Sequence, residues 1–175
     1  MSRRSRNAQP RIRYWHAGWS GRQVGEVLLP LARQTNEYAQ IQTMAVEKMR
    51  QETDDPDLAS GHIYDLSKLY VTTDRDFAHA WSVSIPTEEN RAALKLLYGI
   101  PGTAYYEVEL LDEEGSRLST EPEPDPDYPR GGCFQVPAAR VLAVHRPQMS
   151  PTAATVHMER MGAPAVIHSD SAPTT

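Results

Sequence analysis

One cysteine, Cys133, is all that 175 residues contain, which excludes an intrachain disulfide framework and any zinc site built from several thiolates. No stretch approaches the ~20 apolar residues of a transmembrane helix, so no membrane partner is expected and the cytoplasm is the default location. The six histidines are scattered and none falls in a His-Glu-x-x-His spacing, so no metal is expected. A cationic surplus is missing as well. The 18 Lys and Arg face 23 Asp and Glu, a formal charge of −5. Because non-specific affinity for nucleic acid comes mainly from Lys and Arg neutralising phosphates, nucleic acid is a disfavoured partner. No Gly-rich phosphate loop is present either: Gly18-x-x-Gly21 lacks the parallel strand-helix unit that would make it a dinucleotide fingerprint.

What is present suffices for one domain with tails. Residues 1–10 read as a disordered basic arm, with Arg3, Arg4 and Arg6, and residues 147–175, rich in Pro, Ser, Ala and Thr, read as a disordered tail. Between them, residues 11–146 carry regular patterns. Period-two alternation marks strands at Arg11 to His16, Thr103 to Leu111 and Ala139 to His145, β-branched and aromatic content marks Leu69 to Thr72, and short β segments fall at Gly25 to Pro30, an apolar run, and at Cys133 to Val136. Tyr38, Ile41, Ala45 and Met49 share one face of a helix over 35–51. Thr73 is placed to cap a second helix that carries Phe77, Ala78 and Trp81. Thr87 with its acidic followers caps a third, which ends at Gly99. Prolines exclude Glu121 to Pro129 from a central strand. The class is α+β, with mainly antiparallel strands.

Three short features sit at strand ends: Tyr14-Trp15-His16-Ala17-Gly18, Leu69-Tyr70-Val71-Thr72, and Glu123-Pro124-Asp125-Pro126-Asp127. Their order, with the helix Asp76-x-Ala78-x-x-Trp81 after the tyrosine, resembles the rifamycin ADP-ribosyltransferase family, in the diphtheria-toxin-like branch whose site is a His, Tyr and acidic trio. The likeness spans about Arg11 to Arg146. It implies a compact ADP-ribosyltransferase-like fold, a split β-sandwich with flanking helices. It also implies NAD as co-substrate, no metal, and transfer of ADP-ribose to an acceptor it does not name; nothing asks for more than a monomer.

The resemblance places the catalytic trio at His16, Tyr70 and Asp125, and the cofactor contacts at His16, Ala17, Gly18, Tyr70 and Trp81. The chemistry suits these residue types. Breaking the nicotinamide-ribose bond develops positive charge on the ribose, as in glycoside cleavage, and a carboxylate placed in advance stabilises it. A histidine can hydrogen-bond ribose hydroxyls, and a tyrosine offers a flat face to nicotinamide. Where the family usually has His-Gly-Thr, this chain has His16-Ala17-Gly18. Tyr64, in His62-Ile63-Tyr64, is the rival to Tyr70, and Glu121, Glu123 and Asp127 are rivals to Asp125.

Overall fold

A computed structural model of the chain describes residues 11–61, 65–84, 95–97, 99, 102–128 and 130–162. The basic arm, the rival Tyr64 and most of the third expected helix lie outside the described residues, as does the end of the chain beyond Gly162.

The fold is α+β. Strands β1 (Tyr14–Trp19), β2 (Val27–Leu28), β3 (Leu69–Thr72), β4 (Thr103–Leu111), β5 (Glu123–Pro124), β6 (Cys133–Val136) and β7 (Ala138–His145) form a seven-stranded sheet in the order β2-β7-β4-β1-β3-β6-β5. Each of these pairings is antiparallel. Strand β4 organises it. Its Tyr106, Val108 and Leu110 join Leu69, Val71, Val136 and Val141 in the main core, where each fully buried aliphatic side chain is worth about 1.5–3 kcal/mol. On the opposite face Tyr105 meets Trp15 and Ala78. Farther along that face Glu107 and Glu109 carry ion pairs to Arg13 and Arg140.

Period two carried through β7 puts Val141, Ala143 and His145 on one face. The register is broken instead: Glu107 pairs with Ala143 and Val108 with Val141, so Leu142 is an extra residue. That bulge turns Val141 into the core and His145 toward Tyr105, because one inserted residue reverses the facing of everything beyond it.

Helix α1 (Glu37–Glu52) starts at Asn36, whose side chain accepts from the Ala39 amide at 2.9 Å. Of its apolar stripe Ile41 and Met49 are exposed, whereas Tyr38 is half-buried edge-on against Trp19, with ring centroids 5.8 Å apart. Helix α2 (Pro56–Ala59) follows a cap at Asp55. Helix α3 (Arg75–Ser84) covers the Tyr105 face of the sheet and is capped by Asp74, which accepts from the Phe77 amide at 3.0 Å, rather than by Thr73. Thr72 in turn holds the Asp74 amide, which ties the end of β3 to the start of α3.

Disorder after Arg146 is corrected for residues 151–160. Helix α4 (Pro151–Arg160) starts from Ser150, whose hydroxyl accepts from Ala153, with Pro151 in the first turn. Its Ala154 and Met158, one turn apart, enter a second core with Phe77, Ala80, Tyr128 and Cys133. A segment too poor in apolar residues to fold alone is ordered because it docks two of them on a hydrophobic patch that the domain already presents.

No helix among the described residues is long and apolar enough to cross a membrane.

Candidate functional site

Strand β1 pairs with β4 along its whole length, and β3 pairs with β6 along its whole length. Between β1 and β3 the register holds only at Trp15 and Thr72. The central ladder therefore opens on one side of that pair. His16 fills the opening with its side chain, and its Nδ1 lies 2.8 Å from the Tyr70 carbonyl oxygen. A carbonyl only accepts, so Nδ1 carries the proton and Nε2 keeps a lone pair. Burial pushes the His16 pKa down, the Tyr70 carbonyl opposes this, and the Arg22 cation adds to the lowering; His16 is thus a neutral acceptor at neutral pH. A Cβ at Gly18 would lie 3.1 Å from Nε2. The glycine keeps that nitrogen approachable.

Tyr70 is half-buried on β3. Its hydroxyl accepts from the Asp65 amide at 2.9 Å, and burial first, then the nearby charges of Asp125, Asp65 and Asp127, push its pKa up to about 12 against the effect of that amide. The phenol stays neutral with its hydroxyl engaged, which leaves the ring as its free surface.

Asp125 follows β5. Its amide donates to the Cys133 carbonyl at 2.9 Å, extending the pairing of β5 with β6. One carboxylate oxygen accepts from the Asp127 amide at 3.0 Å, a local turn of the kind aspartate readily forms. Asp125 is only 4% exposed. Burial raises its pKa, the Asp127 amide lowers it, and the Asp127 charge raises it again.

These side chains meet at one cavity of about 190 Å³. His16, Ala17, Tyr70, Trp81 and Asp125 all line it. Gly18 is not among the lining residues, although its Cβ position lies beside His16 Nε2. Of the four acidic candidates only Asp125 and Asp127 reach the cavity, whereas Glu121 and Glu123 are exposed and Glu123 pairs with Lys68 at 3.2 Å. The remaining walls set the rings of Phe77, from α3, and Tyr128, from the turn after Asp125, among the smaller Val71, Thr72, Ala78 and Cys133. Trp15 also contributes, although Arg75 and Arg13 already stand over its ring at 5.4 and 5.7 Å. No Lys or Arg is among the described lining residues.

In the sequence Phe77 reads as a packing residue, and no pattern marks Thr72, Tyr128 or Cys133 as site residues. Tyr128, three residues beyond Asp125 in a proline-broken loop, carried the one available signal. Cys133 gave none, and burial pushes its pKa up to about 12, so it contributes an uncharged thiol to the wall. No group of three or more His, Cys, Asp or Glu able to hold a metal occurs among the described residues.

Compared with known proteins, the chain matches no protein-family model, and no curated protein is significantly similar to it.

Proposed function

We propose that the chain is an NAD-dependent mono-ADP-ribosyltransferase of the compact, split-sandwich kind, with His16, Tyr70 and Asp125 as its site. The observation that carries this reading is the character of the cavity: aromatic rings and two carboxylates, with no cationic side chain among its described lining. Such a wall suits a flat organic cation, because ring faces attract positive charge and the buried Asp125 carboxylate adds negative charge to the same wall. The pyridinium of oxidised NAD is a cation of this kind. A cavity of about 190 Å³ has room for that ring and part of its ribose, and the rest of the dinucleotide lies outside.

In this reading Tyr70 and Trp81 hold the nicotinamide ring, and the lone pair on His16 Nε2 accepts a ribose hydroxyl. As the glycosidic bond breaks, its electron pair leaves with nicotinamide, which becomes neutral, and positive charge passes to the ribose. Asp125 stabilises that charge. The acceptor then bonds to the ribose carbon and releases its proton. Neutral nicotinamide has lost the charge the cavity favours, which assists its departure.

The acceptor is a small molecule such as a rifamycin, a protein or a nucleic acid. Water as acceptor would make the chain an NAD glycohydrolase, and binding without turnover would make it a module for NAD or ADP-ribose. Incubation with NAD, with and without acceptors, and measurement of nicotinamide and free ADP-ribose separates these outcomes. Nicotinamide release that disappears in Asp125→Asn is expected. Wild-type protein that binds NAD and releases no nicotinamide with any acceptor makes it the binding module.

A further inference from the structure

Helix α4 is held to the domain by an unusual tether. His79, on α3, accepts at Nε2 from two consecutive backbone amides, Gln148 at 2.8 Å and Met149 at 3.1 Å. These residues lie just before the Ser150 cap of α4. An imidazole nitrogen can accept only while it carries no proton. The ring is also fixed in orientation: it stacks on Tyr105 with centroids 4.5 Å apart, and Tyr105 stacks on His145 at 5.1 Å. It cannot turn away without losing that stack.

We propose that His79 is a pH-operated latch: unprotonated, its Nε2 anchors the Gln148–Met149 backbone and docks α4 on the back wall of the cavity, and protonation releases both. Protonated Nε2 becomes a donor facing two donors, so both hydrogen bonds are lost together. The released segment includes Met149, Ala154 and Met158, which pack in one cluster with Phe77, Tyr128 and Cys133. Those last three also line the cavity. The latch thus couples proton concentration to support of the cavity wall, whatever ligand the cavity takes.

The surroundings set its direction. Burial holds the His79 pKa below the ordinary imidazole value, with Arg75 on α3 lowering it further, Asp76 on α3 raising it, and His157 on α4 and His145 on β7 lowering it. A group whose pKa is lower docked than released favours docking above the released pKa. That preference drains away as pH falls through the ordinary imidazole range, until the docked pKa is passed. The latch is closed at neutral pH and opens in acid.

The test is an amide NMR titration of the full chain from about pH 7.5 to about pH 5, across the imidazole range, with hydrogen-exchange protection of α4 followed alongside. The Gln148 and Met149 amides should shift with the midpoint of the His79 ring, and α4 protection should fall by up to about tenfold per pH unit, the limit for one proton. In His79→Gln the side-chain carbonyl still accepts but cannot titrate, so α4 should stay docked across the range. His157→Gln should keep the wild-type response. The latch is overturned if α4 protection is unchanged while His79 titrates, if His79→Gln undocks at the same pH as wild type, or if His157→Gln abolishes the response. Should His79→Gln fail to fold, the wild-type amide titration decides alone.

Discussion

Gly18→Ala adds one methyl group at a defined place. The new Cβ lies 3.1 Å from His16 Nε2, inside ordinary van der Waals contact, and Gly18 is not among the positive-φ glycines, so alanine fits the backbone. The imidazole has little room to retreat, because Nδ1 is bonded to Tyr70 and the ring stacks on Tyr106 at 6.4 Å. The methyl group therefore shields the lone pair, at the cost of a close contact that the pinned ring cannot relieve. A strand glycine replaced by alanine at a compatible position gains about 0.4–1 kcal/mol of stability. Shielding Nε2 removes one hydrogen bond to a ribose hydroxyl, about 0.5–1.5 kcal/mol net and up to about 3 kcal/mol if the group is left buried and unpaired. At 1.4 kcal/mol per tenfold, NAD should bind roughly 2- to 140-fold more weakly, while the close contact offsets the backbone gain and Tm does not rise. Calorimetric titration with NAD, paired with thermal unfolding, measures both. Wild-type NAD affinity in a Gly18→Ala protein of unchanged Tm would show that Nε2 does not face the ligand.

The neighbouring carboxylates and rings are tested in the same way. Asp125→Asn should abolish nicotinamide release, about 10²-fold or more for a lost charge-stabilising group, and Glu123→Gln should leave it unchanged; equal activities in the two variants would remove Asp125 from the site. Because burial raises the Asp125 pKa, the ionised group opposes folding, and the penalty is absent below the unfolded carboxylate pKa and grows as pH rises through the folded one. Asp125→Asn should therefore unfold at a higher temperature than wild type at neutral pH, and a lower one contradicts the assigned burial. The acid limb of kcat/KM should lie above the ordinary carboxylate range and move to lower pH in Asp127→Asn, which removes a repelling charge. For Tyr70, whose hydroxyl is engaged by Asp65, Phe should retain more NAD affinity than Ala; the reverse ranking counts against ring contact.

Legibility in the sequence followed the locality of the cause. Strand β4 matches its expected range because its alternation is uninterrupted and it pairs on both sides, and β3, marked by β-branched and aromatic residues, matches because β6 pairs with it along its length. Strand β1 lies three residues later than expected, since the polar alternation of Arg11 and Arg13 extends beyond the paired segment. The bulge at Leu142 is set by pairing across the sheet and leaves no local mark. Among the site candidates, His16, Tyr70 and Asp125 each stand in a recognisable short pattern, with Asp125 singled out by its Asp-Pro match, but that it is buried while Glu121 and Glu123 are exposed follows from the β5–β6 pairing, which is not local. The aromatic wall from Phe77 and Tyr128 arises only when α3 and the post-β5 turn come together.

Helix α4 shows what composition cannot report. Disorder was the expectation for residues 147–175 because the segment buries too little by itself, yet Ala154 is 1% and Met158 7% exposed once α3 is beside them. The docking energy is concentrated in few contacts, so it should be sensitive to one truncation. Methionine to alanine in a core costs about 2–5 kcal/mol where the site cannot collapse, and a terminal helix can shift to fill part of the void, which favours the lower end. Met158→Ala should therefore lower the stability to urea by about 2 kcal/mol and loosen the Phe77 and Tyr128 wall, while Val156→Ala, at an exposed position, should fall within about 0.5 kcal/mol of wild type. Equal midpoints for the two variants would mean that α4 contributes nothing to the fold and that the Gln148–Met149 tether alone keeps it near α3.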